Sequence, residues 1–208
     1  MIIPKHAVAV DVVLFTIRER RLQVLLIKRL IKPFANRYAL PGGFVLEHES
    51  LDAAAIRELR EETGVDQVYL EQLYSFGNPK RDPRGRVIAV AYYALVPSNQ
   101  TLQAGSDAAE ADWYPVDKLP VLAFDHREIV AYAHQRLRNK LDYTNVGFGL
   151  LAARFTLSEL QVVHEAILGE SLDKRNFRRK IIQRGIVKAT KEWQSTGRKP
   201  AQLFYFKD

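Results

Sequence analysis

The sequence predicts an α+β fold: a mixed β-sheet with few helices, followed by a small helix–turn–helix unit that ends in a β-hairpin. Three observations carry this prediction. Residues 7–17, 22–29, 68–76 and 86–97 are rich in β-branched and aromatic side chains, as strands are. Helical periodicity is confined to 50–62, 124–140 and two closely spaced segments after residue 155. These strands and helices do not alternate as a βαβ repeat would require. A chain of 208 residues with 47% hydrophobic content, ten Phe, nine Tyr and two Trp can fill one ordinary core and one small one.

Strands at 7–17 and 22–29 flank the charged turn RERR, and PFANRYALPGGF reads as loop and short strand. The helix at 50–62 starts at Ser50, a plausible N-cap, and Asp52 suits its positive end. Gly64 stands where a left-handed C-terminal cap is wanted. Ala53, Ala54, Ile56 and Leu59 are its expected buried side. The runs at 68–76 and 86–97 are separated by the turn-forming GNPKRDPRG, and a further strand is expected around ADWYPVD. Ile129, Ala133 and Leu137 give 124–140 its helical period. LDYTNVGFGL, 141–150, reads as a linker. After it, Thr156 and Glu159 form a T-x-x-E capping box, and Gly169 ends that helix. A second helix starts at Asp173 and stops at Gly185, which makes a helix–turn–helix. IVKAT and AQLFYF, around KEWQSTGRKP, form the hairpin wing.

Charge is unevenly placed. The net charge of +7 divides into +6 over residues 151–208 and +1 over the first 150. Such asymmetry points to nucleic acid or membrane at the C-terminal end. No basic surface helix carries exposed Trp or Phe, so nucleic acid is the favoured partner. AVAVDVVLFTI is broken by Asp11 and is far shorter than the roughly 20 residues of a membrane span. With no cysteine there is no disulfide framework and no thiolate zinc site, which suits a cytoplasmic protein. The five histidines (6, 48, 126, 134 and 164) show no ligand spacing and read as solvated or satisfied.

Residues 40–65, LPGGFVLEHESLDAAAIRELREETGV, concentrate acid on one helix. Glu58 lies three residues before Glu61 and four before Glu62, so all three share a face. Like charges so placed repel unless a cation neutralises them, and gathered carboxylates suit Mg²⁺ or Mn²⁺, ions that bridge protein to phosphate. Arg57, four before Glu61, can orient it. Gly42 and Gly43 let backbone approach a ligand closely. Gly43, Glu49, Arg57-Glu58-Leu59, Glu61-Glu62 and Gly64-Val65 together resemble the Nudix box with no departure at a defined position. The resemblance implies a Nudix fold over residues 1–141, with the box forming a loop–helix–loop that places divalent metal at a diphosphate. It implies Glu58, Glu61 and Glu62 as metal ligands. In an active enzyme, Glu61 or Glu62 is the base for attack of water on phosphorus, with Glu110 as a distant alternative.

RDPRGRVIAVAYYALV and LAFDHREIV resemble the ADP-ribose-handling branch of that family. Arg37, Gly42, Gly43 and Arg81 are the expected ligand-binding residues. Arg81 either pairs bidentately with a phosphate or is a solvated loop arginine. Phe34, Tyr92 and Phe124 either stack on adenine or pack in the core.

On the last helix, Phe177 and Ile181 face inward, while Lys174, Arg175, Arg178, Arg179 and Lys180 cover the rest. Five cations within seven residues, beside a preceding helix and a wing, fit a major-groove helix better than a solvated face. Arg198 and Lys199 add a backbone or minor-groove contact from the wing loop. FTLSELQVVHEAILG, FRRKI and GRKPAQLF are similar to the winged helix–turn–helix of the Nudix-related transcriptional regulators, here over residues 150–208. The expectation is a ligand-sensing bacterial regulator, a repressor of an NAD-metabolism or sugar operon. It would bind a palindromic double-stranded operator as a homodimer and sense ADP-ribose or a related nucleotide. The alternative is an active Mg²⁺-dependent Nudix pyrophosphatase acting on ADP-ribose or a similar compound.

Overall fold

A computed structural model describes residues 5–66, 68–98, 102, 108–141, 149–195 and 199–207. Arg198 and most of the expected linker lie outside the described residues. The elements are β1 (Ala7–Arg18), β2 (Arg21–Arg29), β3 (Tyr38–Ala39), β4 (Gly42–Phe44), α1 (Leu51–Thr63), β5 (Glu71–Phe76), β6 (Val87–Leu95) and β7 (Ala108–Pro115). Then come α2 (His126–Leu141), β8 (Phe155–Thr156), α3 (Leu157–Leu168), α4 (Lys174–Gln183), β9 (Val187–Gln194) and β10 (Ala201–Phe206).

Among the described residues, seven strands form one mixed sheet. Its main path runs β3-β2-β1-β6-β5, with β4 also on β1 and β7 also on β2. β1 lies parallel to β6 and antiparallel to β2 and β4. The apolar run of β1 is nearly continuous because the sheet is covered on both faces. Val10, Val12 and Leu14 point to the side of α1, where Ala54, Ala55 and Leu59 meet them. Val13 and Phe15 point to the other side, against Ile129, Val130, Ala133 and Leu137 of α2. This is the period of two expected of a strand.

The buried stripe of α1 is Ala54, Ala55, Leu59, Glu62 and Thr63. Ala53 and Ile56, expected inside, are exposed, because the helix is rolled so that Glu62 turns inward. Its caps match the sequence reading: Ser50 accepts from the Ala53 amide, and Gly64 is left-handed.

The C-terminal unit packs Phe155, Leu157, Leu160, Phe177 and Ile181 together, against Val187, Phe204 and Phe206 of the hairpin. Both halves of the Thr156–Glu159 capping box are formed, Gly169 closes α3, and Asp173 caps α4. Sequence reading missed β8, which pairs with β10 and turns the two-stranded wing into a three-stranded sheet. The two units are not independent. Val163 and Ile167 of α3 belong to the same apolar cluster as α2 and one face of the large sheet.

Candidate functional site

A cleft of about 230 Å³ opens where β1, β4, α1 and the head of α2 meet. Asp11, Arg29, Gly42, Gly43, Glu58, Glu62, Arg84, Phe124 and His126 are among the residues lining it. The glycines are there for want of space. A methyl group at Gly43 would fall inside the Glu58 carboxylate, and one at Gly42 would meet the Val10 carbonyl oxygen.

The three box glutamates do not play one part. Glu62 is buried and accepts from the Gly42 amide at 2.8 Å, which ties α1 to the loop before it. Glu58 is half-buried against Gly43, and burial raises its pKa against the opposing pull of Arg57. Glu61 points away from the cleft; its side chain is 51% exposed and touches Arg57 at 3.2 Å. Arg57 is the brace of this helix. It grips Glu49 through Nη2 at 2.6 Å and Nε at 2.9 Å and reaches Glu58 at 2.7 Å, and these bonds hold its pKa well above normal. The same bonds, with the Leu46 amide, bring Glu49 down to about 2.

Among the described residues, no three acids stand together so as to hold a metal ion unaided. Two carboxylates, Glu58 and Glu62, do face one cleft, and the backbone beside them leaves no room for a side chain. That suits a hard divalent cation, which commonly takes one or two protein carboxylates and completes its shell with ligand phosphate and water.

Arg81 is neither a solvated arginine nor an open phosphate clamp. Its side chain is 3% exposed. Nε and Nη2 donate to Asp125 at 2.9 and 2.7 Å, and Nη2 also reaches Asp11 at 3.0 Å. Burial would raise the pKa of Asp11, but His126 and Arg81 outweigh it and leave the carboxyl below its usual value. His126, read from sequence only as solvated or satisfied, lines the cleft. Its Nδ1 accepts from the Leu40 amide at 2.8 Å, so Nε2 carries the proton and faces Asp11 at 3.4 Å.

Cations missed in the sequence are Arg29 and Arg84. Arg29 is half-buried, its Nε donates to the Pro33 carbonyl, and burial together with the nearby Arg84 lowers its pKa. Both guanidinium groups sit on the Phe124 ring, at 5.0 and 5.6 Å, and Arg84 also covers Phe44 at 4.8 Å. Phe34 meets Phe124 edge-on. Phe124 is thereby packed against two cations and a second ring. Tyr92 is core, its hydroxyl donating to Asp52 at 2.6 Å. Arg37 lies over Phe34 in the exposed loop after β2, outside the cleft. Glu110 is on β7 beside Lys28 at 3.5 Å, again outside the cleft, so the distant base expected there has no place near the glycines.

On α4, Lys174, Arg175, Arg179 and Lys180 are exposed while Phe177 and Ile181 are buried. Arg178 is less free: its Nη2 donates to Ser158 on α3 at 3.1 Å. Lys199 is exposed at the wing. No helix among the described residues is long and apolar enough to cross a membrane.

Comparison with known proteins agrees with both halves. Residues 5–133 match the NUDIX domain family, and residues 147–206 match the NrtR DNA-binding winged helix domain. The chain is 42% identical over 207 residues to the ADPR responsive transcriptional repressor NtrR of Acinetobacter baylyi, covering 98% of this chain and 83% of that one. It is similar to the crystal structure of Shewanella oneidensis NrtR complexed with a 27mer DNA, at 38% identity and a TM-score of 0.80, over 96% of this chain and 93% of that one. The NUDIX domain of the same Shewanella oneidensis protein, complexed with ADP ribose, aligns at 40% identity and a TM-score of 0.60, over 65% of this chain and 90% of that one. The chain therefore belongs to the family of Nudix-related transcriptional regulators, in which a Nudix domain is joined to an NrtR-type winged helix DNA-binding domain.

Proposed function

We propose that this protein is a cytoplasmic, ligand-sensing transcriptional regulator, which binds an operator through α4 and the wing and changes its operator affinity when ADP-ribose or a related nucleotide occupies the Nudix cleft. The observation that carries this reading is the presence, in one chain, of a glycine-lined cleft with the carboxylates of Glu58 and Glu62 and a helix with four exposed cations facing away from its own core. In the cleft, Glu58 and Glu62 would hold Mg²⁺ or Mn²⁺ against the diphosphate. Arg29 supplies the positive charge that Arg81, engaged by Asp11 and Asp125, and Arg84, paired with Asp82 at 2.7 Å, do not offer freely. Gly42 and Gly43, by lacking side chains, leave room for the Val10 carbonyl and for the Glu58 carboxylate that would hold the ion. Arg81 and His126 form the wall behind it.

At the DNA, Lys174, Arg175, Arg179 and Lys180, with Arg178 braced by Ser158, enter the major groove, and Arg198 and Lys199 reach backbone or minor groove. A homodimer would present two such helices to a palindrome, with half-sites about one helical turn or a multiple of it apart. The two domains are taken as residues 1–141 and 150–208. A mobility-shift series at fixed salt, on an inverted repeat and on a scrambled duplex of equal length, tests the reading. Discrimination between the duplexes supports it; equal binding to both opposes it.

A second reading rests on the completeness of the box. Every defined residue of the box is present, Glu58 and Glu62 face the cleft, and Arg57 braces Glu58. When bound, the metal supplies charge neutralisation at the diphosphate and a more acidic water. Of the two candidate bases, Glu62, which lines the cleft, would take the proton of that water. Steady-state release of phosphate-bearing products from ADP-ribose and Mg²⁺ tests this directly. Turnover that Glu62→Gln abolishes would establish an enzyme, and binding without turnover a pure sensor.

A further inference from the structure

Among the described residues, α2 is the one helix that both lines the ligand cleft and shares an apolar cluster with the DNA-reading unit. Its head is tied to the cleft. Asp125, the residue before it, takes two hydrogen bonds from Arg81, and His126 takes the Leu40 amide. About 12 and 18 Å further along, at the 1.5 Å rise of an α-helix, its middle and its last turn are tied to α3. His134 Nε2 donates to the Ile167 carbonyl at 2.8 Å, and Arg138 Nη1 donates to the Leu168 carbonyl at 2.8 Å. These two carbonyls belong to the last turn of α3, where no partner exists within the helix and a positive side chain is favoured by the helix dipole. The C-terminal end of a DNA-domain helix is thus capped by the ligand domain. A third tie comes from α4: Arg184 Nη1 donates to the carbonyl of Leu141, the final residue of α2. Between these bonds, Ile129, Val130, Ala133 and Leu137 share one apolar cluster with Val163 and Ile167.

We infer that His134 and Arg138 are positioning residues that couple the cleft to the reading helix: they fix α3, and with it α4, to a helix whose head is held by the ligand-binding wall. A ligand in the cleft lies against His126, the first residue of α2, and beside the buried Arg81–Asp11–Asp125 network, and so biases the head of α2. Helices are stiff over this length, so a displacement at the head reaches the last turns, where two directional hydrogen bonds transmit it. Apolar packing alone tolerates sliding, whereas a bond from Arg138 to one carbonyl does not. The two bonds therefore serve a purpose that the shared core cannot. This inference rests on the proposed ligand-responsive regulation and names the residues that carry it.

The test is a coupling measurement on the full-length protein. Operator affinity is measured by fluorescence anisotropy with and without saturating ADP-ribose and Mg²⁺, and ADP-ribose affinity is measured separately by calorimetry. In the parent, the ratio of the two operator affinities should fall in the roughly 5–150-fold range usual for allosteric coupling. In His134→Ala/Arg138→Met it should fall to within about 2-fold, with ADP-ribose affinity unchanged and operator binding without ligand retained. Arg138→Lys alone keeps a donor and a charge and should keep most of the ratio. A purely structural part would lower thermal stability in both variants alike and leave the ratio intact, and an intact ratio in the double variant overturns the inference. Should the double variant fail to fold, hydrogen exchange on the parent decides. ADP-ribose should change protection in residues 134–141 and in the last turn of α3, and no change there overturns it equally. A parent whose operator affinity ignores ADP-ribose, though it binds both partners, would remove the regulatory reading itself and this inference with it.

Discussion

Gly43 has a backbone that could carry any side chain and a neighbour that forbids one. A methyl group there would displace the Glu58 carboxylate from the cleft. Gly43→Ala should therefore abolish Mg²⁺-dependent ADP-ribose binding while leaving the far-ultraviolet circular dichroism unchanged; calorimetry on the variant checks it. Glu58→Gln and Glu62→Gln should do the same, and Glu61→Gln, which changes a half-exposed group outside the cleft, should do less. Glu49 supports a second residue-scale prediction. Its pKa falls from 4.5 to about 2 in the folded state, chiefly through Arg57. A carboxylate lowered on folding adds stability above its unfolded pKa and loses it as pH falls through the folded one. The urea midpoint of the parent should drop between pH 4.5 and about 2 by more than that of Glu49→Gln. Parallel curves would show that the Arg57 brace does not couple to folding. The box glutamates were legible from spacing because helix geometry relates residues three and four apart. Arg81, His126 and Arg29 were not legible as they stand, since what fixes each is a partner brought by another strand or helix. Asp11 and Asp125 lie far from Arg81 in sequence and only the fold joins them.

At the scale of elements, α4 divides its cations by what else they touch. Arg175 and Arg179 have exposed side chains, and Arg179 donates to Asn176 within its own helix. One that reads guanine should cost roughly 1–3 kcal/mol on the operator when changed to Ala, and should relax preference at one position. Lys174→Ala and Lys199→Ala should weaken all sequences alike and lower the salt slope by about one ion. Arg178→Ala removes the bond to Ser158, so it should also lower the melting temperature of the domain. Competition titrations over a range of salt separate these outcomes. Element ends were well marked in the sequence because caps are local chemistry: Ser50, Gly64, Thr156 with Glu159, Gly169 and Asp173 all act where they were placed. β8 was not marked. Two residues are too few for a period, and Thr156 is both the end of that strand and the cap of α3. The roll of α1 was likewise hidden, because it depends on Glu62 finding the Gly42 amide across the cleft.

For the whole molecule, composition marks two units and packing joins them. The linker and the change in charge after residue 150 place a boundary just beyond the end of α2. The apolar cluster runs across that boundary, through Val130, Leu137, Val163 and Ile167. A fragment ending near residue 139 should therefore bind ADP-ribose but melt well below the parent and tend to aggregate through the uncovered face of α2. Thermal denaturation of the fragment beside the full chain checks this, and equal melting would place the boundary where composition alone put it. The shared core was beyond sequence reading because helical periodicity gives the apolar face of α3 but not its partner. The central claim is that one chain links nucleotide binding to operator binding, and it is tested most directly by titrating the full-length protein into a labelled inverted-repeat duplex, at fixed salt and Mg²⁺, with and without ADP-ribose. The account predicts two saturable curves displaced from one another by at least about 5-fold, the lower end of ordinary allosteric coupling. Superimposed curves, obtained where calorimetry shows the cleft to be filled, would contradict it.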